Sequence, residues 1–200
     1  MDKKRARAGR AVTVESVRAR ERLLISASAR NGIYVRSREQ FSGEIIMTIM
    51  RWALALAVGG FLIVFGATKF TGGAHIFPYI EYKATGLGAP FADLAYPWLN
   101  YAVGALELAA GVLVILPMTR RLGALIGVLP FFGAVLVHLS PFLGVATPAG
   151  YADPAPAAAL AAGGPFAASD FSTAMTTSLF MIAVGGLFAA IVNLIVQRNS

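Results

Sequence analysis

The chain has 200 residues, of which 57% are apolar and only 14% are charged, with two histidines and no cysteine. In a soluble domain about a quarter of the residues are charged, which keeps its surface hydrated. This composition therefore excludes an ordinary soluble domain and indicates a membrane protein. The lack of cysteine excludes disulfides, thiolate metal ligands and a cysteine nucleophile. Two histidines argue against an imidazole-rich zinc site, and we predict no metal.

Residues 1–44 form a strongly basic segment. Eleven of the 17 Lys and Arg residues lie before position 39, and we expect this segment to be cytoplasmic and disordered. Three interpretations stay open: an electrostatic anchor on anionic lipid, a tail that only sets orientation, or residues ahead of the true start, since Met47 and Met50 stand just before the first apolar stretch. No aromatic interleaving or known motif accompanies the charge, so no nucleic-acid partner is predicted.

The remainder, residues 45–200, contains four stretches that could cross a membrane. A spanning helix needs about 20 apolar residues, because each adds about 1.5 Å of rise. The stretches run over about 48–70, 94–118, 121–141 and 171–197. No polar sequence is left to bury them in a soluble core, so we predict an all-α fold, a polytopic membrane four-helix bundle in contact with lipid.

Basic residues near the spans predict the orientation. Arg120 and Arg121 lie between spans two and three, and Arg198 follows span four, whereas the other two loops carry only Lys69 and Lys83 against four acids. Both termini are therefore expected in the cytoplasm. Of the two outer loops, residues 72–96 are expected to pack as a cap or re-entrant piece, and residues 141–168, rich in Ala, Gly and Pro, to be flexible.

Small residues at helical spacing predict how the spans pack. Helices in lipid associate through close contact and polar groups, so we assign most of the glycines of the spans to helix packing. We expect Pro130 to kink span three. The packing glycines are Gly59, Gly60, Gly66, Gly104, Gly111, Gly123, Gly127, Gly185 and Gly186.

Glu107 is the sharpest candidate for a functional residue. An ionisable group in lipid costs about 2.5–3.5 kcal/mol on insertion scales, so it should face inward with a partner. Gly104, Gly111 and Asn100 lie on the same helical stripe and would leave a crevice beside it. Glu107 is then either a proton acceptor or ligand contact, for a quinone for example, or a structural residue whose hydrogen bond fixes helix register.

Other charges have more modest predicted roles. Lys69, where span one ends, should snorkel or pair with Glu81 or Asp93. His138 should bond a loop carbonyl at the outer interface, because haem ligation would need a second intramembrane histidine. The residues assigned to span boundaries are Arg51, Arg120, Arg121 and Asp170. No catalytic constellation is recognised.

The order of short motifs resembles a known family. The stretch ALELAAGVLVILPMTRRLGALIGVLPFFGAVLVHLSPF is similar to spans two and three of the DoxX-like four-helix membrane proteins, with Glu107 and Arg121 at the family's Glu and Arg. FGATKF matches the end of that family's first span, through Gly66, Lys69 and Phe70. Pro117, LSPFLGVATP and an aspartate at position 170 are similar to its YkgB-like branch. The resemblance covers roughly residues 48–195.

The resemblance implies a bacterial inner-membrane protein. Some relatives are small subunits of thiosulfate:quinone oxidoreductases or partners of proteins that handle oxidants and thiols, and YkgB-like members are linked to reactive-chlorine stress. We therefore expect an accessory subunit of a redox or stress system, not an enzyme by itself, with a redox partner protein and no cofactor of its own other than a bound quinone. The alternatives are a small proton-linked carrier, which would work as a homo-oligomer, and a quinone-reactive oxidoreductase subunit. The short loop HIFPYIEYK departs from the branch.

Overall fold

The computed structural model describes residues 43–198, with side chains as far as Gln197. Of the predicted basic segment, residues 1–42 lie outside the described residues, and Gly43 and Glu44 are helical. The start at Met47 or Met50 stays a prediction. The chain divides into two units, Met1–Ile49 and Met50–Ser200. Of the first unit only residues 43–49 are described, as helix.

The described elements are predominantly helical. In chain order they are α1 (Gly43–Thr68), α2 (Ile76–Gly86), α3 (Ala92–Leu94), α4 (Asn100–Ile115), α5 (Arg120–His138), β1 (Thr147–Pro148), α6 (Ala157–Ala162), β2 (Met175–Thr176) and α7 (Ser178–Arg198).

Four of these helical segments are long and apolar enough to cross a membrane, which confirms the prediction of four spans. They are Gly43–Thr68, Ala92–Ile115, Arg120–His138 and Ser178–Gln197. Large apolar side chains on their outer faces stay exposed, for example Leu56, Val64, Leu129 and Phe188. Hydrocarbon can solvate such a surface, and the helices satisfy their own backbone hydrogen bonds, so the arrangement suits a bilayer.

The second span is interrupted near its start. Residues Ala95–Leu99 form a wider π-helical turn, in which Tyr96 has an extended backbone with φ −136° and ψ 136°. Pro97 follows, and its ring disfavours helical geometry in the residue before it. The regular helix that carries Glu107 therefore begins at Asn100.

The fourth span begins later than predicted, at Ser178 instead of about residue 171. Phe171 forms an isolated β-bridge with Tyr151, and Met175–Thr176 pairs with β1. The hydroxyl of Thr176 accepts the Ser178 N–H at 3.1 Å, as helix-capping residues do. Because of these contacts, residues 171–177 belong to the loop that precedes the helix.

Within Met50–Ser200 the four spans share a core. Its buried residues come from each of them: Val58, Leu62, Ala110, Phe131 and Ala190. Helix α5 continues through Pro130 from Arg120 to His138. Residues 116–119 join the second and third spans at one end of the bundle, called here the turn end. The opposite end, called the cap end, carries the long loops.

Most of the predicted packing glycines lie at close helix contacts. A Cβ on Gly59 would fall 2.9 Å from the carbonyl oxygen of Gly111, and one on Gly66 would fall 2.9 Å from that of Gly104. Gly123 lies against Leu113 and Val114, Gly127 against Leu62, and Gly186 against Phe131. Gly60 and Gly185 have open space where a side chain would be, so these two are the exceptions.

The cap consists of residues 70–99 and 139–177. Strands β1 and β2 pair antiparallel, with Thr147 opposite Thr176. The stretch 141–168, expected to be flexible, contains β1 and α6 and buries Phe166 against Tyr96 and Phe171. Burial of aromatic rings stabilises a fixed arrangement, which the low-complexity composition did not indicate.

Candidate functional site

A buried ion pair joins the first two spans. The Nζ of Lys69 lies 2.6 Å from Oε2 of Glu107, a residue 38 positions away in sequence, and donates a hydrogen bond to it. The two side chains are only 9% and 12% exposed. The Lys69 ammonium also donates to the Phe65 carbonyl at 3.3 Å. Each charge is thus neutralised within the chain, as a charge removed from water requires.

The glycine contacts explain why these side chains meet. Gly66 lies one turn before Lys69 and Gly104 one turn before Glu107, and each glycine faces the other helix at backbone distance. A Cβ on Gly104 would fall 3.0 Å from the Lys69 Cβ. The absence of side chains lets the two backbones approach, so the long lysine can reach along α4 to the carboxylate.

Asn100 and Phe77 complete the surroundings of the pair. The side-chain amide of Asn100 donates to the Lys69 carbonyl at 2.8 Å, where α1 has ended and that carbonyl lacks a helical partner. Asn100 is 1% exposed, and its Oδ1 has no hydrogen-bond partner among the described residues. The ring of Phe77 in α2 lies 6.0 Å from the Lys69 ammonium. The pair therefore lies under the cap, beside one acceptor that is not used.

Two predictions for these residues have different outcomes. Lys69 was expected to snorkel or to pair with Glu81 or Asp93; that was wrong, because its ammonium turns inward to Glu107. His138 does bond a loop carbonyl: its Nδ1 is 2.8 Å from the Gly144 oxygen, to which it must donate. Its ring is buried against Phe180, edge to face.

At the turn end, Arg120 closes the end of α4. Its guanidinium donates to the carbonyls of Val114 and Ile115 at 3.1 and 3.2 Å, and it lies 3.9 Å from the centroid of the Trp52 ring. A cation is favourable at a helix C-terminus, where carbonyls are unpaired. Arg121, the residue matched to the family's Arg, is exposed on the next position.

The other two boundary charges differ from each other. The backbone carbonyl of Arg51 accepts from Gln197 at 3.3 Å, and Gln197 also donates to Asn193, so α1 and α7 are joined at the turn end. Asp170 does not open span four. Its carboxylate accepts the Ala167 N–H at 2.8 Å in a short 3-10 turn, Ala168–Asp170, within the cap.

The sequence reading missed a second buried acid, Glu81 in α2. It is 4% exposed, and its Oε2 has no hydrogen-bond partner among the described residues. Burial, with a smaller contribution from Asp93, raises the pKa of Glu81 to about 7. A signal was present: Phe77, Glu81 and Ala84 are spaced to lie on one face of a helix, which puts a glutamate among apolar residues.

Backbone carbonyls also tie the cap together. Nε2 of His75 donates to the Pro148 carbonyl at 2.9 Å, and the Tyr151 hydroxyl donates to that of Ala74 at 3.3 Å. Burial lowers the pKa of His75 and raises that of Tyr151, so both side chains are held in their neutral forms around neutral pH. The cap is thus held together by hydrogen bonds, and it contains a buried acid, Glu81, whose Oε2 has no hydrogen-bond partner in residues 43–197.

The chemistry open to these residues is limited. Among residues 43–198, no three His, Asp or Glu side chains are grouped so as to hold a metal ion. The site contains the Lys69–Glu107 ion pair, the Asn100 Oδ1, which has no hydrogen-bond partner among the described residues, and a separate titratable acid, Glu81. No family model, curated protein or solved structure matches this chain.

Proposed function

We propose that this chain is a DoxX-like accessory subunit of the bacterial inner membrane that serves a redox or oxidative-stress system. The Lys69–Glu107 pair is its buried polar element and fixes the register of the first two spans. Both termini are cytoplasmic in this proposal, so that the cap faces outward and Arg51, Arg120 and Arg121 face the cytoplasm.

The observation that carries the proposal is the contact between two motifs. The resemblance rests on G..KF at the end of span one and on a glycine-flanked Glu in span two. In the structure Gly66 faces Gly104, and Lys69 bonds to Glu107. Motif residues that meet at one contact are expected of a shared architecture, and a satisfied internal ion pair suits a structural role in assembly.

Purification of the tagged full-length protein in native lipid tests this proposal. We expect a stoichiometric partner protein, identified by mass spectrometry, and its recovery should fall in Lys69→Met, in which the pair is broken. Lys83→Met, which changes a half-buried lysine of the cap, is the matched control and should retain the partner. If neither a partner nor an extractable quinone accompanies the wild-type protein, the proposal is wrong.

A second candidate is a proton-linked carrier, which the unused Oδ1 of Asn100 beside the ion pair favours. A polar acceptor without a partner next to a lysine and a carboxylate could receive a ligand or water on a transfer path. Proton flux into proteoliposomes should then be abolished in Glu107→Gln. Flux that is equal in the wild type and in this variant would exclude a carrier that uses Glu107.

A further inference from the structure

Glu81 is a buried acid of the cap that neither proposed function uses. It lies in α2 on the face that packs into the cap, with Pro78 and Ala84, which are also buried. Its side chain has only 4% of its surface exposed, and Oε2 is fully enclosed without a hydrogen-bond donor among the described residues. A carboxylate in this position would lack both water and a protein donor, which is costly for the charged form.

Three of the basic side chains in and near the cap bond to groups other than the Glu81 carboxyl group. Lys69 bonds to Glu107, His75 to the Pro148 carbonyl and His138 to the Gly144 carbonyl. Lys83 is two positions after Glu81 in α2, which places it about 200° around the helix. Between residues 139 and 197 the sequence has no Lys, Arg or His.

A glycine segment closes directly over the carboxyl group. A Cβ on Gly164 would lie 2.6 Å from Oε1 and 2.9 Å from Oε2 of Glu81. Gly163 and Gly164 have φ of 80° and 110°, a backbone that side-chain-bearing residues rarely adopt. The Gly164 N–H donates to the Ala159 carbonyl at 2.9 Å and is therefore turned away from the carboxyl group.

The segment Gly163–Phe166, called here the flap, is held at its other end by aromatic packing. Phe166 is buried and packs edge to face on Tyr96, with ring centroids 5.3 Å apart. Gly163 lies against Pro97, whose Cδ would be 3.5 Å from an added Cβ. The flap thus lies between the Glu81 carboxyl group and the interrupted start of the second span.

We propose that Glu81 is a proton-binding site of the cap, whose neutral carboxyl group keeps the Gly163–Phe166 flap closed and whose carboxylate releases it. The proposal is independent of the proposed function, because it concerns a different acid and requires no partner. The ligand is a proton from the compartment that the cap faces.

The charges around Glu81 set the direction of the effect. Burial first, and the negative charge of Asp93 second, raise the pKa of Glu81 from its ordinary 4.5 to about 7. The closed flap therefore binds the proton more tightly than an open flap does. Closure is favoured at low pH, weakens between about pH 4.5 and 7, and changes no further above that range.

Among the other titratable groups on and around α2, His75 bonds to the Pro148 carbonyl, and burial lowers its pKa from the ordinary 6.5. The pKa of Tyr79 is raised above 10, which keeps it neutral, and no titratable group lies within the flap itself. Asp170, beyond the flap, bonds to its own turn through the Ala167 N–H. The remaining groups on α2 and on the segments packed against it are Tyr82, Lys83, Asp93 and Tyr96.

Hydrogen exchange of the full-length protein in lipid nanodiscs tests the proposal. Peptides that cover residues 157–170 are compared between wild type and Glu81→Gln at each pH, which cancels the intrinsic pH dependence of exchange. We expect nearly equal protection at about pH 4, and at about pH 8 at least about tenfold faster exchange in the wild type. The infrared band of a protonated carboxyl group, absent in the variant, should titrate near pH 7 in the wild type.

Equal protection of both proteins at both pH values would overturn the proposal, as would a carboxyl band that titrates near 4.5. If Glu81→Gln fails to fold, Gly164→Ala replaces it. The added methyl group should wedge the flap from the carboxyl group, so that exchange is fast at low pH and independent of pH. Wild-type protection and wild-type pH dependence in Gly164→Ala would equally overturn the proposal.

Discussion

Glu107 and Glu81 are both buried glutamates, but their carboxyl groups have different surroundings. Glu107 lies in a span and has a lysine 2.6 Å away. Glu81 lies in the cap, where a Cβ on Gly164 would fall 2.6 Å from its Oε1, and its Oε2 has no donor among the residues that the structure describes. Burial alone therefore does not decide the role of an acid; the partner that the fold supplies does.

The two glutamates should also stabilise the fold in different ways. An ion pair removed from water stabilises one helix register, because sliding either helix would leave two unpaired charges. An acid without a partner stabilises its surroundings only while it is protonated. The packing of the cap should thus respond to pH through Glu81.

Breaking the ion pair should have the largest effect. Lys69→Met leaves the Glu107 carboxylate buried without its partner, and we expect a loss of about 3–5 kcal/mol in the free energy of unfolding. The double variant Lys69→Met/Glu107→Gln, which removes both charges, should recover most of this loss. Unfolding in mixed detergent micelles measures both. A double variant as unstable as Lys69→Met would contradict a specific pairing.

Adjacent glycines of α1 provide a matched test of the helix contact. In Gly59→Ala the new Cβ would lie 2.7 Å from Ile115 and 2.9 Å from the Gly111 carbonyl, and we expect a loss of about 1–3 kcal/mol from overpacking. Gly60→Ala meets no atom within 4 Å and should be neutral or slightly stabilising. The same unfolding measurement applies, and equal effects at the two positions would argue against the close approach of α1 and α4.

Glu81 should make its own contribution to the pH dependence of stability. Since its pKa is raised from 4.5 to about 7 in the folded state, the folded protein holds a proton that the unfolded chain has already lost in this range. The Glu81 contribution to stability should fall from about pH 4.5 to about pH 7 and then level off, whereas His75, whose pKa burial lowers, contributes in the opposite direction. Thermal unfolding at a series of pH values measures this, and Glu81→Gln should remove that part of the slope. An unchanged slope in the variant would assign the dependence to other groups.

The smallest expected effect concerns Asp93. Its charge is the second cause of the raised pKa of Glu81, after burial. Asp93→Asn should therefore lower the midpoint of the Glu81 carboxyl titration by less than about one pH unit. Infrared titration in nanodiscs would detect the shift. A midpoint that returns to the ordinary carboxyl value would mean that charge, not burial, dominates.

The four spans could be predicted from the sequence alone, because the signal is local. A run of about 20 apolar residues must be a helix in hydrocarbon, whatever it packs against. Helical spacing likewise placed Glu107, Gly104 and Gly111 on one stripe. It did not separate Gly59, which contacts α4, from Gly60, which has open space, because that depends on how far each helix is rotated about its axis.

Which side chains pair with each other depends on the tertiary structure. Lys69 and Glu107 are 38 positions apart, and their contact depends on the backbone approach of Gly66 to Gly104 and on the direction of a long side chain. The burial of Glu81 depends likewise on a flap more than 80 positions later in the chain, at Gly164. Periodicity describes one helix at a time, whereas neutralisation and burial of a charge depend on what a distant segment places beside it.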